Sequence, residues 1–193
     1  MKIGIVGYNL YNKALVQNLT DSDHHRILLY RERRKTGQLN NPIDDPRIQF
    51  TNLQDLVISS DIIFLSPNIN PSGIETDYIN LEQLFLGIVN HAIAENKFPT
   101  VLVTTILPIN GFHNHVLKYA GNKLKAVYIP IFKRSLEDTA IFYYGEEDLN
   151  FELNSLPVLV QMDLDLLEIY GFIRGTLGKD RLLQLLKMFN NLT

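Results

Sequence analysis

The chain contains no cysteine. That absence excludes disulfides, a thiolate nucleophile and cysteine-ligated metal, and it leaves a reducing compartment permitted. Charge of one sign is missing too: 18 basic against 21 acidic side chains give a net charge of -3, with no electrostatic footprint for nucleic acid. No apolar run approaches the length of a bilayer span, so no membrane partner is expected. Met1 leads directly into an apolar segment without the basic start of a secretory signal, and the cytoplasm is the expected compartment. Internal repeats, low-complexity tracts and a domain-separating linker are also lacking. The remaining composition, 46% hydrophobic and 20% charged over 193 residues, is that of an ordinary globular protein with one good core.

What is present is an alternation of strand and helix patterns, beginning with KIGIVGYNLYNKAL at residues 2–15. Ile3, Ile5 and Val6 around Gly4 make a short apolar run without polar alternation, the signature of a strand covered on both faces. Gly7 ends it, and Ala14, Leu15 and Leu19 follow at helical spacing. In a dinucleotide-binding turn, Gly-x-Gly-x-x-Gly supplies a tight turn, a close approach for pyrophosphate and room for helix on strand. Here those positions hold Gly7, Asn9 and Asn12. Asparagine tolerates left-handed φ, so the turn is expected to survive, but its side chain takes the space of a pyrophosphate. The fold is therefore favoured and a firmly held cofactor is not; NAD or NADP is admitted only at weak affinity.

A second strand, RILLY at residues 26–30, should end in an acid for the ribose hydroxyls, and the chain gives Arg31 instead. An arginine there can accept a 2′-phosphate, or simply open a solvated basic face with Arg33, Arg34 and Lys35. After the loop NPIDDPR, a short strand is expected at 48–50, a helix at 53–59 and a buried strand DIIFL at 61–65. The longest helical pattern runs over 78–95, with Leu81, Leu84, Phe85, Ile88, Val89, Ala92 and Ile93 expected on one face. A strand TVLVTTI follows at 100–106, with LPING as its exit turn. His113 and His115 stand two apart on the next helix and point to different faces, so no shared metal is expected. Strands are expected at 126–130, 139–144 and 156–160, then helices at 162–173 and 180–189, where Leu182, Leu183, Leu185 and Leu186 are too apolar for a free tail. The fold class is α/β: a Rossmann-like, doubly wound, mostly parallel sheet over residues 1–150, with a carboxyl-terminal strand and helices over 151–193. A ligand is expected at the carboxyl edge of the sheet, among Gly7, Asn9, Leu10, Tyr11, Arg31, residues 66–70 starting at Ser66, and residues 104–108 including Thr105.

In this order the segments resemble the amino-terminal domain of the nucleotide-sugar dehydrogenases, the UDP-glucose and GDP-mannose dehydrogenase family. KIGIVGY resembles the family's first strand, Asp61 to Leu65 its aspartate-led apolar strand, and Asp77 the aspartate that opens its next helix. TTILPINGF is similar to its Ser-Thr-Val-Pro-Val-Gly-Thr turn, and YIPIFKR to its Asn-Pro-Glu-Phe-Leu-Arg segment, keeping Pro130, Phe132 and Arg134. Gly145 falls where the family's next strand ends. The resemblance covers residues 1–145. It implies an NAD-binding-type fold, a nucleotide or nucleotide sugar as ligand, a setting in surface-polysaccharide synthesis, and a dimer built on a central helix.

The departures fall on the chemistry. In the family a cysteine thiolate forms a thiohemiacetal while two hydride transfers carry an alcohol to a carboxylate, helped by a glutamate, a threonine, and a lysine and asparagine of the central helix. Here there is no cysteine, and Ile131 replaces the glutamate, where it can neither activate water nor pair with charge. The Thr-Pro loop reads Ile69 and Asn70. Thr105, or Thr104 in a shifted alignment, matches the threonine. For the central helix two registers stand open: one aligns Glu168 with the family glutamate and puts Gly171 at the lysine, the other aligns Lys187 and Asn191 with the lysine and asparagine. The expected protein is a shortened, non-catalytic relative that keeps the scaffold for binding. The alternative is an active NAD(P)-dependent oxidoreductase of another kind, with Arg31 selecting NADP and Thr105 or Tyr128 as the acid.

Overall fold

A computed structural model describes residues 1–7, 16, 26–30, 46–67, 76–122, 124–131, 140–145 and 158–177. Its centre is a six-stranded sheet formed by the apolar runs: β1 (Lys2–Val6), β2 (Arg26–Tyr30), β3 (Ile48–Phe50), β4 (Ile62–Leu65), β5 (Thr100–Val103) and β6 (Ala126–Tyr128). The order is β3-β2-β1-β4-β5-β6, every pairing is parallel, and the order reverses between β1 and β4. This is the doubly wound Rossmann arrangement, whose ligand crevice opens beyond the carboxyl ends of the strands at that reversal.

Both faces of the sheet are apolar, as non-alternating strands require. Ile3, Ile5, Ile27, Leu29, Phe64 and Leu102 point to one side. Val6, Leu28, Ile63, Leu65, Val101 and Val103 point to the other, under α1 (Leu53–Ser59) and α2 (Thr76–Ala94). Ile93, expected on the apolar face of α2, is left exposed. Asn52 caps α1 by accepting from the Asp55 N–H at 2.8 Å and donating back to the Asp55 carboxylate at 2.7 Å, so two polar groups satisfy each other at the helix start. The far end of α2 closes on Asn96, at φ 49, with the Lys97 N–H on the Ala92 carbonyl at 3.0 Å. Asparagine there does what glycine does at most such ends.

The helix after β5 opens as a π-helix, His113–Leu117, and continues as α3 (Lys118–Ala120). Its wide turn is held from α2. Glu82 accepts from His115 Nδ1 at 2.8 Å, Lys118 Nζ at 3.1 Å and the Tyr119 hydroxyl at 3.1 Å, and the His115 ring stacks on Tyr78. Burial pushes the Glu82 carboxyl up, but these donors outweigh it and hold the group below its ordinary range.

Beyond β6, a second, two-stranded parallel sheet pairs β7 (Ala140–Tyr143) with β8 (Val158–Gln161), and reciprocal backbone bonds between Tyr128 and Tyr144 tie it to the end of β6. The last described element is α4 (Leu164–Leu177). β5 is shorter than the 100–106 expected from its β-branched run: beyond Val103 the Thr104 N–H and hydroxyl both go to the Leu65 carbonyl at the end of β4, and the Thr105 hydroxyl goes to the Pro67 carbonyl. β6 and β7 are likewise shorter than expected, β8 is shifted to Val158–Gln161, and α4 starts two residues later and runs on to Leu177. The helix expected at 180–189 lies outside the described residues, as does all but Val16 of the first helix. Among the described residues no helix is long and apolar enough to cross a membrane.

Candidate functional site

The carboxyl ends of β1, β4 and β5 meet at the point where the strand order reverses. Gly7 leaves β1 with φ +87, donating its N–H to the Tyr30 carbonyl at 3.2 Å. A Cβ at that position would run into the Ser66 carbonyl oxygen and lie 3.1 Å from Pro67 Cα. Gly7 is thus pressed against the residues that follow β4, and only glycine has both the conformation and the space there. Ser66 is buried beside it, its N–H on the Val6 carbonyl at 2.9 Å.

Thr104 and Thr105 follow β5, and both are buried. The Thr104 hydroxyl donates to the Leu65 carbonyl at 3.3 Å and the Thr105 hydroxyl to the Pro67 carbonyl at 3.4 Å, lacing the β5 exit to the β4 exit. Each proton goes to the main chain, so Thr105 retains accepting capacity but does not present a free donor. Leu107 donates its N–H to the Tyr128 hydroxyl at 3.1 Å, and Phe112 stacks on the Tyr128 ring at 5.2 Å. Burial pushes the Tyr128 phenol well above its ordinary range, the Leu107 N–H pulls it back, and the neighbouring charge of Glu168 raises it again. Tyr128 therefore keeps its proton through the physiological range and is a poor acid; its role is to hold the loop.

α4 completes this wall. Glu168 is fully buried, accepting from the Asn110 N–H at 2.5 Å and the Phe112 N–H at 2.8 Å. One helical turn on, a Cβ at Gly171 would lie 3.4 Å from the Tyr128 hydroxyl. Glu168 and Gly171 thus stand against the TTILPINGF and YIP segments, while Lys187 and Asn191 lie outside the described residues. Ile131 is buried among Ile3, Ile5 and Phe64, where an ionised carboxylate would be costly. Among the described residues no group of three histidine, aspartate or glutamate side chains is placed to hold a metal. Of the ligand residues expected from sequence, Gly7, Ser66 and Thr105 converge at this edge; Asn9, Leu10, Tyr11, Arg31, Ile69 and Asn70 lie outside the described residues. The Glu168 clamp was not foreseen. Its one local signal is an acid enclosed by Leu167, Ile169 and Tyr170.

No family model matches the sequence, and no curated protein matches it. Solved structures do. GDP-mannose dehydrogenase from Pseudomonas aeruginosa, determined as a ternary complex, matches 91% of this chain and 49% of its own with a TM-score of 0.74 at 15% identity. UDP-D-ManNAc dehydrogenase from Pyrococcus horikoshii matches 90% of this chain and 50% of its own, at a TM-score of 0.67 and 14% identity. An imine reductase variant from Myxococcus stipitatus, in complex with NAD+, matches 99% of this chain and 62% of its own, at 0.64 and 15%. The chain spans about half the length of the two sugar dehydrogenases. At such identities the likeness establishes the fold, a Rossmann-type domain.

Proposed function

We propose that this protein is a Rossmann-type ligand-binding relative of the nucleotide-sugar dehydrogenases that does not carry out their oxidation. The observation behind the reading is the inward turn of the polar groups at the carboxyl edge. Thr104 and Thr105 give their protons to main-chain carbonyls, Tyr128 is sealed with its proton held, and both Glu168 oxygens are taken by backbone amides. This sequence offers no cysteine for the covalent route, and Ile131 offers no base. Gly7 has the positive φ with which a dinucleotide-binding turn can begin, which favours a nucleotide or nucleotide sugar as ligand at this edge. Polysaccharide synthesis in the cytoplasm is the setting that the resemblance suggests.

Two measurements test this. Calorimetric titration with NAD is expected to give affinity weaker than micromolar, and mixtures of NAD with UDP-glucose or GDP-mannose are expected to yield no NADH. Submicromolar binding would refute the weak pyrophosphate site, and steady NADH production in a preparation free of host enzyme would refute the non-catalytic reading. A second reading, an active NAD(P)-dependent oxidoreductase of another kind, draws on the likeness to the imine reductase over 99% of this chain. NADPH consumption with an imine substrate would favour it.

The proposal extends to assembly as a two-fold dimer built on α4. Leu166, Ile169 and Phe172, spaced by three, are 60%, 39% and 51% exposed on that helix, and a self-complementary ridge buries itself twice in a two-fold pair. Light scattering behind size exclusion is expected to give twice the chain mass, and Leu166→Asp with Phe172→Asp to give a folded monomer. A wild-type monomer persisting at high concentration would refute the dimer.

A further inference from the structure

Glu168 is a fully buried acid whose two oxygens serve different amides, Oε2 that of Asn110 and Oε1 that of Phe112. Taking a carboxyl group out of water is expensive, and here two N–H donors take the place of its hydration. Among the described residues neither amide has a main-chain acceptor, and Glu168 serves both. Asn110 sits at φ 62, the Gly111 N–H turns back to the Pro108 carbonyl at 2.8 Å, and a Cβ on Gly111 would lie 2.7 Å from the Pro108 ring. Without Glu168, the amides on either side of Gly111 would face each other's surroundings with no acceptor. The same segment is held at its start by Tyr128, through Leu107, and Tyr128 in turn lies under Gly171 of α4.

We infer that α4 is a strap on the carboxyl-edge wall: its docking, through Glu168, fixes the conformation of residues 107–112, so that this wall of the site is built only while α4 is seated. The inference rests on the reading of the carboxyl edge as the ligand site, and it makes Glu168 a positioning residue that acts through the backbone. An acid is required rather than an amide. Glutamine brings one accepting oxygen and would set its own NH2 against the second backbone donor. Leu167, the fully buried neighbour in sequence, belongs to the same core cluster as Leu107 and Phe112 and has no polar side-chain atom to bond the loop's amides.

Residue-resolved amide exchange on the full chain tests the strap and needs no ligand, so its outcome is independent of the NAD titration that tests the site. In Glu168→Gln, exchange at Asn110 and Phe112 is expected to rise at least about tenfold, while amides of β1 and β4 keep their protection. In Leu167→Ala the same two amides are expected to lose protection although no bond to them has been removed. The inference is overturned if Glu168→Gln leaves them protected or changes them only in step with β1 and β4. It is equally overturned if Leu167→Ala loosens the amides of α4 and leaves Asn110 and Phe112 as they were, since the loop would then set its own conformation. Should Glu168→Gln fail to fold, the Leu167→Ala comparison decides alone.

Discussion

The two edges of the sheet use the same bond in opposite surroundings. At the amino edge, just before β4, Asp61 accepts from the Lys2 N–H at 2.9 Å and faces Lys97 Nζ at 3.4 Å, with both side chains near half exposed. At the carboxyl edge Glu168 also accepts backbone N–H groups, but it is sealed from water beside the buried Tyr128. Water can replace what Asp61 does, and nothing can replace what Glu168 does. The carboxyl edge is where doubly wound sheets place ligands, so polar groups there ordinarily face outward. In this protein Thr104, Thr105, Tyr128 and Glu168 are buried and bond neighbouring main chain. The fold has kept the shape of a ligand edge while its polar side chains hold that shape.

If that contrast is right, damage at the carboxyl edge must cost far more than damage at the amino edge. The largest effect is expected at Gly7. Gly7→Ala forces a side chain into φ +87 and against the Ser66 carbonyl. It should cost about 2–4 kcal/mol, read as a lower urea midpoint at unchanged slope. Tolerance of alanine would mean that the turn is open and the edge not closed as described. Next comes Tyr128→Phe, which keeps the stacking on Phe112 and deletes only the acceptor of the Leu107 N–H. A buried amide left without a partner should cost about 1–3 kcal/mol, seen as a fall in melting temperature. A change within experimental error would mean that water reaches Leu107.

Sequence pattern made the sheet legible, since KIGIV, RILLY, IIFL and TVLV carry no polar alternation and so read as strands covered on both faces. Gly7 was legible for the same local reason, a glycine closing an apolar run before a helix. The inward chemistry was not, because its partners are remote. Glu168 binds amides 58 and 56 residues away, and its apolar neighbours Leu167, Ile169 and Tyr170 do not say which groups it meets. The end of β5 is not legible because Thr104 and Thr105 continue a β-branched run, whereas the strand ends at Val103 and their hydroxyls bond carbonyls 39 and 38 residues back. The π-helix at His113–Leu117 depends in the same way on Glu82 of another helix.

The smallest expected effect sharpens the contrast from the other side. Asp61→Asn keeps an oxygen for the Lys2 N–H and removes only the charge opposite Lys97. An exposed pair of this kind contributes about 0.2–1 kcal/mol. The Lys2 N–H lowers the Asp61 carboxyl from its ordinary 3.8, with partial burial opposing and Lys97 adding to the fall. A carboxyl depressed in the folded state stabilises above its unfolded value and loses that contribution as the pH falls through the folded one. The wild type should therefore exceed Asp61→Asn slightly at neutral pH, and the two should converge as the pH drops below 3.8. High salt should shrink the neutral-pH difference as well, because an exposed pair is screened where a buried one is not. Paired denaturation curves at neutral and acid pH, with and without salt, decide the matter. An Asp61→Asn cost equal to that of Tyr128→Phe, unmoved by acid or salt, would show an amino edge as sealed as the carboxyl edge and remove the contrast between them.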